Sequence, residues 1–193
     1  VAWNRHHLRD AAAEDRALEW SIAGMLDVTE RLSVGQPADE AAAFTAVAEA
    51  VWWVTIIDAR LVRQYTDLYD AVLADYVAVP PPVIEGTLAG LRFVRNMMSF
   101  PGGRADFIRP PAGPDGDDGP NYDGGVVAAW TWKRVPEQTL GPLPARMRPW
   151  ETNRYRSYTA WLAERTVGEV FAPAAAFLNL AAAQAAPLAG AAA

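Results

Sequence analysis

The stretch "EAAAFTAVAEAVWWVTIIDARLVRQ", residues 40–64, decides the fold. Helical spacing lines up Phe44, Val47, Ala48, Val51, Thr55, Ala59 and Val62, and Trp52, Trp53, Ile56 and Ile57 carry the apolar surface further round. A helix apolar over so much of its circumference belongs at the centre of a bundle. Asp39 stands where a cap is needed, after the breakers Gly35 and Pro37. Within this helix Asp58 is out of place. It lies three residues after Thr55, seven after Val51 and four before Val62, so it points to the core. A buried carboxylate needs a partner or takes up a proton.

Upstream, residues 5–33 read as a first helix with Leu18, Ile22, Met25, Leu26 and Leu32 on its apolar face. Downstream, residues 66–76 give a short third helix that ends at "VAVPPP". A fourth helix is expected over about 83–99, with Ile84, Leu88, Leu91, Val94 and Met98 as its stripe. Arg95 falls on that stripe, four residues after Leu91 and three before Met98. Two central helices thus carry misplaced charges of opposite sign. Pairing Asp58 with Arg95 is the simplest expectation, with Thr55 or Asn96 filling the remaining hydrogen bonds. Such a pair is either a register-fixing salt bridge or part of a site.

Residues 101–150 read as an insertion. A Gly/Pro/Asp-rich loop comes first, then "VVAAWTWKRV" (126–135), a strand with Val126, Ala128, Trp130 and Trp132 on one side. That strand must pair with another extended piece or lie across the bundle. A fifth helix is expected over 151–171, ended or kinked by Pro173, followed by an Ala-rich tail over 173–193 that reads as helical to about Ala186. The fold class is all-α: a single domain, residues 1–193, built as a bundle of about five helices with a loop-and-strand insertion after the fourth.

Composition narrows the chemistry. The chain has 193 residues, 51% of them apolar, with eight Trp, six Tyr and six Phe, enough for a substantial core. It has no cysteine, which removes disulfides, thiolate metal sites and a thiol nucleophile. Its net charge of −6 makes strong non-specific binding to duplex DNA an unfavourable expectation. No uncharged run of about 18 apolar residues marks a membrane span, and the polar start is unlike a secretory signal. The expectation is therefore a cytoplasmic protein without a membrane segment.

Metal and cofactor signals are weak. The adjacent His6 and His7 point about 100° apart on a helix, so they read as exposed polar residues and no metal site is expected. The acids Asp115, Asp117, Asp118 and Asp123 lack the spacing of a calcium loop and read as solvated. No phosphate-binding glycine loop or serine-hydrolase elbow is present, so no cofactor is expected.

At "GLRFVRNMMSFPGG", residues 90–103, the helix end resembles the HEPN superfamily, the higher-eukaryote and prokaryote nucleotide-binding domains. Their motif is an Arg, usually followed by a polar residue such as Asn, with a His after four to six intervening positions. Arg95 and Asn96 match the first two places, whereas Phe100, Pro101 and Gly102 occupy the places open to His. The preceding "IEGTLAGLRFVRN" resembles the motif-bearing helix, and "EAVWWVTIIDARL" resembles a helix of bacterial proteins with this general plan. The resemblance covers about residues 40–100. It implies a helical bundle, often dimeric, and in active members a metal-independent endoribonuclease whose Arg and His meet across two protomers.

Without its His, this chain lacks the group that shuttles protons near neutral pH. The resemblance then implies a binding or regulatory protein, as in toxin–antitoxin or defence systems, dimeric through the end of the fourth helix, with a protein or RNA partner. One alternative is a divergent enzyme acting on RNA or nucleotides around Arg95, Asn96, Asp58, Arg104 and Arg109. Another is a small-molecule-binding bundle whose pocket is lined by Trp52, Trp53, Trp130 and Trp132.

Overall fold

The computed structural model describes residues 2–34, 39–99, 104, 106–111, 129–140 and 143–191, with side chains undescribed at 2–15, 34, 139 and 187–191. Among the described residues are six α-helices: α1 (Ala2–Val34), α2 (Glu40–Gln64), α3 (Thr66–Asp75), α4 (Pro81–Ser99), α5 (Arg148–Trp161) and α6 (Val167–Ala191). Two short strands, β1 (Ile108–Arg109) and β2 (Thr131–Trp132), and a 3-10 turn at Glu137–Leu140 lie between α4 and α5. The molecule is an all-α bundle with a small strand insertion.

α2 is the central helix, packing against α1, α3, α4 and α6. Asp39 caps it by accepting the Ala42 N–H at 2.8 Å. Its core-facing side is rotated from the expected stripe: Ala43, Val47, Ala50, Val54, Ile57 and Leu61 are buried, while Phe44, Ala59 and Val62 are exposed. The pattern was ambiguous because apolar residues occur on more than one side of α2. Asp58 is fully buried, as its position required. By length and apolarity α2 and α6 would each span a bilayer, yet 44% and 50% of their most apolar windows are buried inside the bundle. A helix packed on several sides needs that composition whatever its surroundings.

The prolines before α4 start it rather than merely ending α3. Pro81 and Pro82 occupy its first turn, where a missing N–H costs nothing. α4 lies close against α5 because Gly86 and Gly90 face it. A Cβ on Gly90 would sit 3.1 Å from the Tyr158 Cα and 2.6 Å from the Leu162 Cδ1. The Gly90→Val substitution is therefore expected to overpack this crossing and cost about 1–3 kcal/mol. Chemical denaturation would check it, against Gly168→Ala, where a Cβ meets open space.

The insertion is fastened by aromatic packing and by two extended neighbours. β1 and β2 are antiparallel, with Ile108 opposite Trp132 and Arg109 opposite Thr131. On its other edge β2 meets the α5–α6 connection: Trp132 N–H donates to the Arg165 carbonyl at 2.9 Å, and Val167 N–H to that of Trp130 at 2.8 Å. The strand thus has partners on both sides. Trp130 and Trp132 both point inward, as expected from alternation, whereas Val126 and Ala128 lie outside the described residues. Phe107 and Tyr158 pack edge-on at 5.6 Å, and Phe93 stacks near both at 6.1 and 5.5 Å.

The C-terminal part differs from expectation. α5 ends at Trp161 and the chain breaks at Glu164, which has a φ of 65°. α6 then runs through Pro173 without ending there. A reciprocal cap starts it: the Glu169 N–H donates to Thr166 Oγ1 at 3.2 Å, and the Thr166 N–H to Glu169 Oε2 at 2.8 Å. The Ala-rich segment is helical, as its composition predicted, but it continues one helix across Pro173 and completes the core, with Ala174, Phe177, Leu178, Ala181 and Ala185 buried against α1, α2, α3 and α4. Phe177 stacks on Tyr69 at 5.2 Å.

Candidate functional site

The polar residues singled out in the sequence fall into separate groups. Asp58 pairs with Arg92, not with Arg95. Its Oδ2 faces the Arg92 guanidinium, and its Oδ1 accepts the Tyr69 hydroxyl at 2.8 Å. Thr55 instead bonds back to the Val51 carbonyl at 2.8 Å. The reason lies in the helix geometry. Arg92 and Arg95 are about 4.5 Å apart along α4, while Asp58 and Trp52 are about 9 Å apart along α2. The arginines therefore reach different levels of α2, Arg92 at Asp58 and Arg95 at Trp52.

Burial pushes the Asp58 carboxyl above its ordinary value, against the opposing pull of Arg92 and the Tyr69 hydrogen bond. Tyr69 is pushed up as well, by burial first and then by Asp58. This triad ties α2, α3 and α4 together inside the bundle. Asp58 itself is fully buried, while Arg92 keeps one-third of its side chain exposed.

Arg95 lies over the face of Trp52, with its guanidinium carbon 5.2 Å from the ring centroid. Trp52 remains 48% exposed. Among the described residues Arg95 makes no ion pair, and it is half-buried beside that ring. Asn96, its neighbour, turns the other way. The Asn96 Nδ2 donates to Glu151 Oε1 at 2.7 Å, and Arg154 Nη1 reaches the same oxygen at 2.5 Å. Glu151 is buried in the first turn of α5, where the helix dipole favours a carboxylate. Asn96 thus serves the α4–α5 contact.

Arg104 and Arg109 do not join Arg95. Arg104 donates to Asp106 through its carbonyl at 2.8 Å and its carboxylate at 3.2 Å. Arg109 pairs with Glu164 at 2.6 Å, bracing β1 against the α5–α6 connection. Phe100, Pro101 and Gly102, the places open to a motif His, lie outside the described residues, as do Asp115–Asp123 and the side chains of His6 and His7. No group of three or more His, Asp or Glu is placed to hold a metal ion among the described residues.

The four tryptophans do not share a pocket. Trp130 and Trp132 are core residues, and Trp53 packs on Gly24 with its Nε1 3.4 Å from Glu49 Oε1. Trp52 lies under Arg95. A groove of about 500 Å³ does exist elsewhere, between α1 and α6, lined by Leu18, Ile22, Leu26, Tyr65, Ala182 and Ala186. It was not foreseen because the spacing within the Ala-rich helix does not tell which neighbour it docks against.

Sequence reasoning also missed Arg92, Tyr69, Glu151 and Arg154. One of these was findable: Glu151 precedes Tyr155, Tyr158 and Leu162 by four, seven and eleven residues, the same misfit of an acid on an apolar face that exposed Asp58. Compared with protein-family models, curated proteins and solved structures, the chain matches none.

Proposed function

We propose that this chain is a HEPN-like helical protein without nuclease activity, working as a binding or regulatory partner through the surface shared by α2 and α4. The observation that carries this reading is the division of the Arg95–Asn96 pair. Asn96 is committed to the buried Glu151, while Arg95 stands outward on a half-exposed Trp52. The two groups point about 100° apart, Asn96 into the α4–α5 contact and Arg95 over Trp52, and do not converge on one phosphodiester. Phosphodiester cleavage also needs a proton shuttle, and the sequence has no His at the motif positions. A cation over a half-exposed aromatic ring supplies contact chemistry instead.

The test is incubation of the purified chain with single-stranded RNA, with and without divalent cations. The expected result is intact RNA under every condition. Cleavage that disappears in the Arg95→Ala variant would overturn the proposal and establish a divergent nuclease.

A further inference from the structure

We propose that the groove between α1 and α6 is a binding site for a small aliphatic ammonium ion, whose alkyl chain lies along the groove with its cationic head at Glu19. The site is separate from the α2–α4 surface and does not rest on the HEPN resemblance.

The groove exists because its two walls are unequal. α1 supplies Leu18, Ile22 and Leu26, at every fourth position, whereas α6 answers chiefly with methyl groups from Ala182, Ala183 and Ala186. Side chains that short cannot fill the space between two helices, and about 500 Å³ stays open. Leu26 is left 40% exposed. The row from Leu18 to Leu26 runs about 12 Å along α1. The volume falls within the range of small-molecule sites, about 300–1,000 Å³. A protein partner needs about 800 Å² of surface from each side, more than two rows of this length offer.

The polar groups select the occupant. Among the described residues that line the groove, Glu19 alone is charged. It is exposed, and it makes no ion pair or hydrogen bond among the described residues. Asn179 adds a side-chain carbonyl able to accept an ammonium N–H, and Tyr65 adds a ring able to face a cation. A fatty acid would bring a second carboxylate beside Glu19, with no Arg or Lys in the lining to offset it. A neutral chain would gain nothing from Glu19. An alkylammonium uses both features, because its charge meets Glu19 while its methylenes leave water.

Calorimetric titration of the full chain with octylamine near neutral pH tests the inference, since an extended octyl chain is about as long as the groove. The expected result is one-to-one binding with a Kd of about 1 mM or tighter. Octanoate and octan-1-ol should each bind about fivefold more weakly or worse. Glu19→Gln should lower octylamine affinity about fivefold and abolish the preference over octan-1-ol. Ala183→Trp and Ala23→Trp each place a ring in the groove, one from either wall. Both positions are exposed, so circular dichroism should not change while octylamine affinity falls about tenfold or more.

No saturable binding up to about 5 mM octylamine overturns the inference. So does equal uptake of octanoate, a Glu19→Gln variant that keeps its preference for the amine, or binding untouched by both tryptophans. A dimer that both tryptophans dissociate would assign the groove to a second copy and overturn it as well. The outcomes separate from those of the proposed function: Arg95-dependent RNA cleavage would remove that reading and leave the groove untouched.

Discussion

Replacing Asp58 with alanine is expected to destabilise the protein by about 3 kcal/mol, the lower end of the range for breaking a buried ion pair. The lower end applies because Arg92 is one-third exposed and can turn its charge to water. Most of the loss comes from the Tyr69 hydroxyl, which is left buried without its acceptor, and from the cavity left behind. For a chain of this size the expected drop in Tm is on the order of 10 °C. Asp58→Asn, which keeps an acceptor for Tyr69, should cost less.

The same residue gives a pH signature. The folded protein holds the Asp58 proton more tightly than the unfolded chain does, because burial raises its pKa above 3.8. Its stability contribution is therefore complete below the unfolded value and is lost as pH rises through the raised folded value. The stability of the wild type relative to Asp58→Asn should fall across that window. Chemical denaturation of both proteins at a series of pH values would measure it, and a difference that rises with pH would reverse the assignment.

Phe93→Ala is the other substitution with a large expected effect, about 3–5 kcal/mol. Phe93 is fully buried on α4 and meets Phe107 from the insertion together with Tyr155 and Tyr158 from α5. Removing its ring opens a cavity where three parts of the chain converge. The β1–β2 insertion should loosen with it, since Phe107 loses one of its two ring partners. Limited proteolysis within residues 104–143 should quicken in the variant. Phe44→Ala, by contrast, removes an exposed ring and should shift the stability of the monomer by no more than about 0.5 kcal/mol.

The helical core was legible because its signals are local. The cap at Asp39, the breakers before α2 and the inward position of Asp58 all follow from spacing along one helix. The rotation of α2 was not legible, because a helix apolar on more than one side has no single preferred face until its neighbours are known. The same limit explains the misassigned partner of Asp58. Choosing between Arg92 and Arg95 depends on the relative height of two helices, which no single helix encodes. The start of α6 was legible in principle: "TVGE", residues 166–169, is a capping box, and it outweighed the signal from Pro173. Pro173 proved tolerable within a helix whose other contacts are strong.

The candidate site was half legible. Arg95 and Asn96 stood out as a pair, but their adjacency along the helix hid the fact that neighbouring side chains point about 100° apart. One faces α2 and the surface, the other α5 and the interior.

That division is the centre of the account, and side-by-side urea denaturation of Arg95→Ala and Asn96→Ala tests it most directly. Asn96→Ala should cost about 1.5–3 kcal/mol, since Glu151 loses a hydrogen bond to its buried carboxylate. Arg95→Ala should cost no more than about 1 kcal/mol, the worth of an exposed cation–π contact. The reverse order, with Arg95→Ala severe and Asn96→Ala neutral, would contradict it.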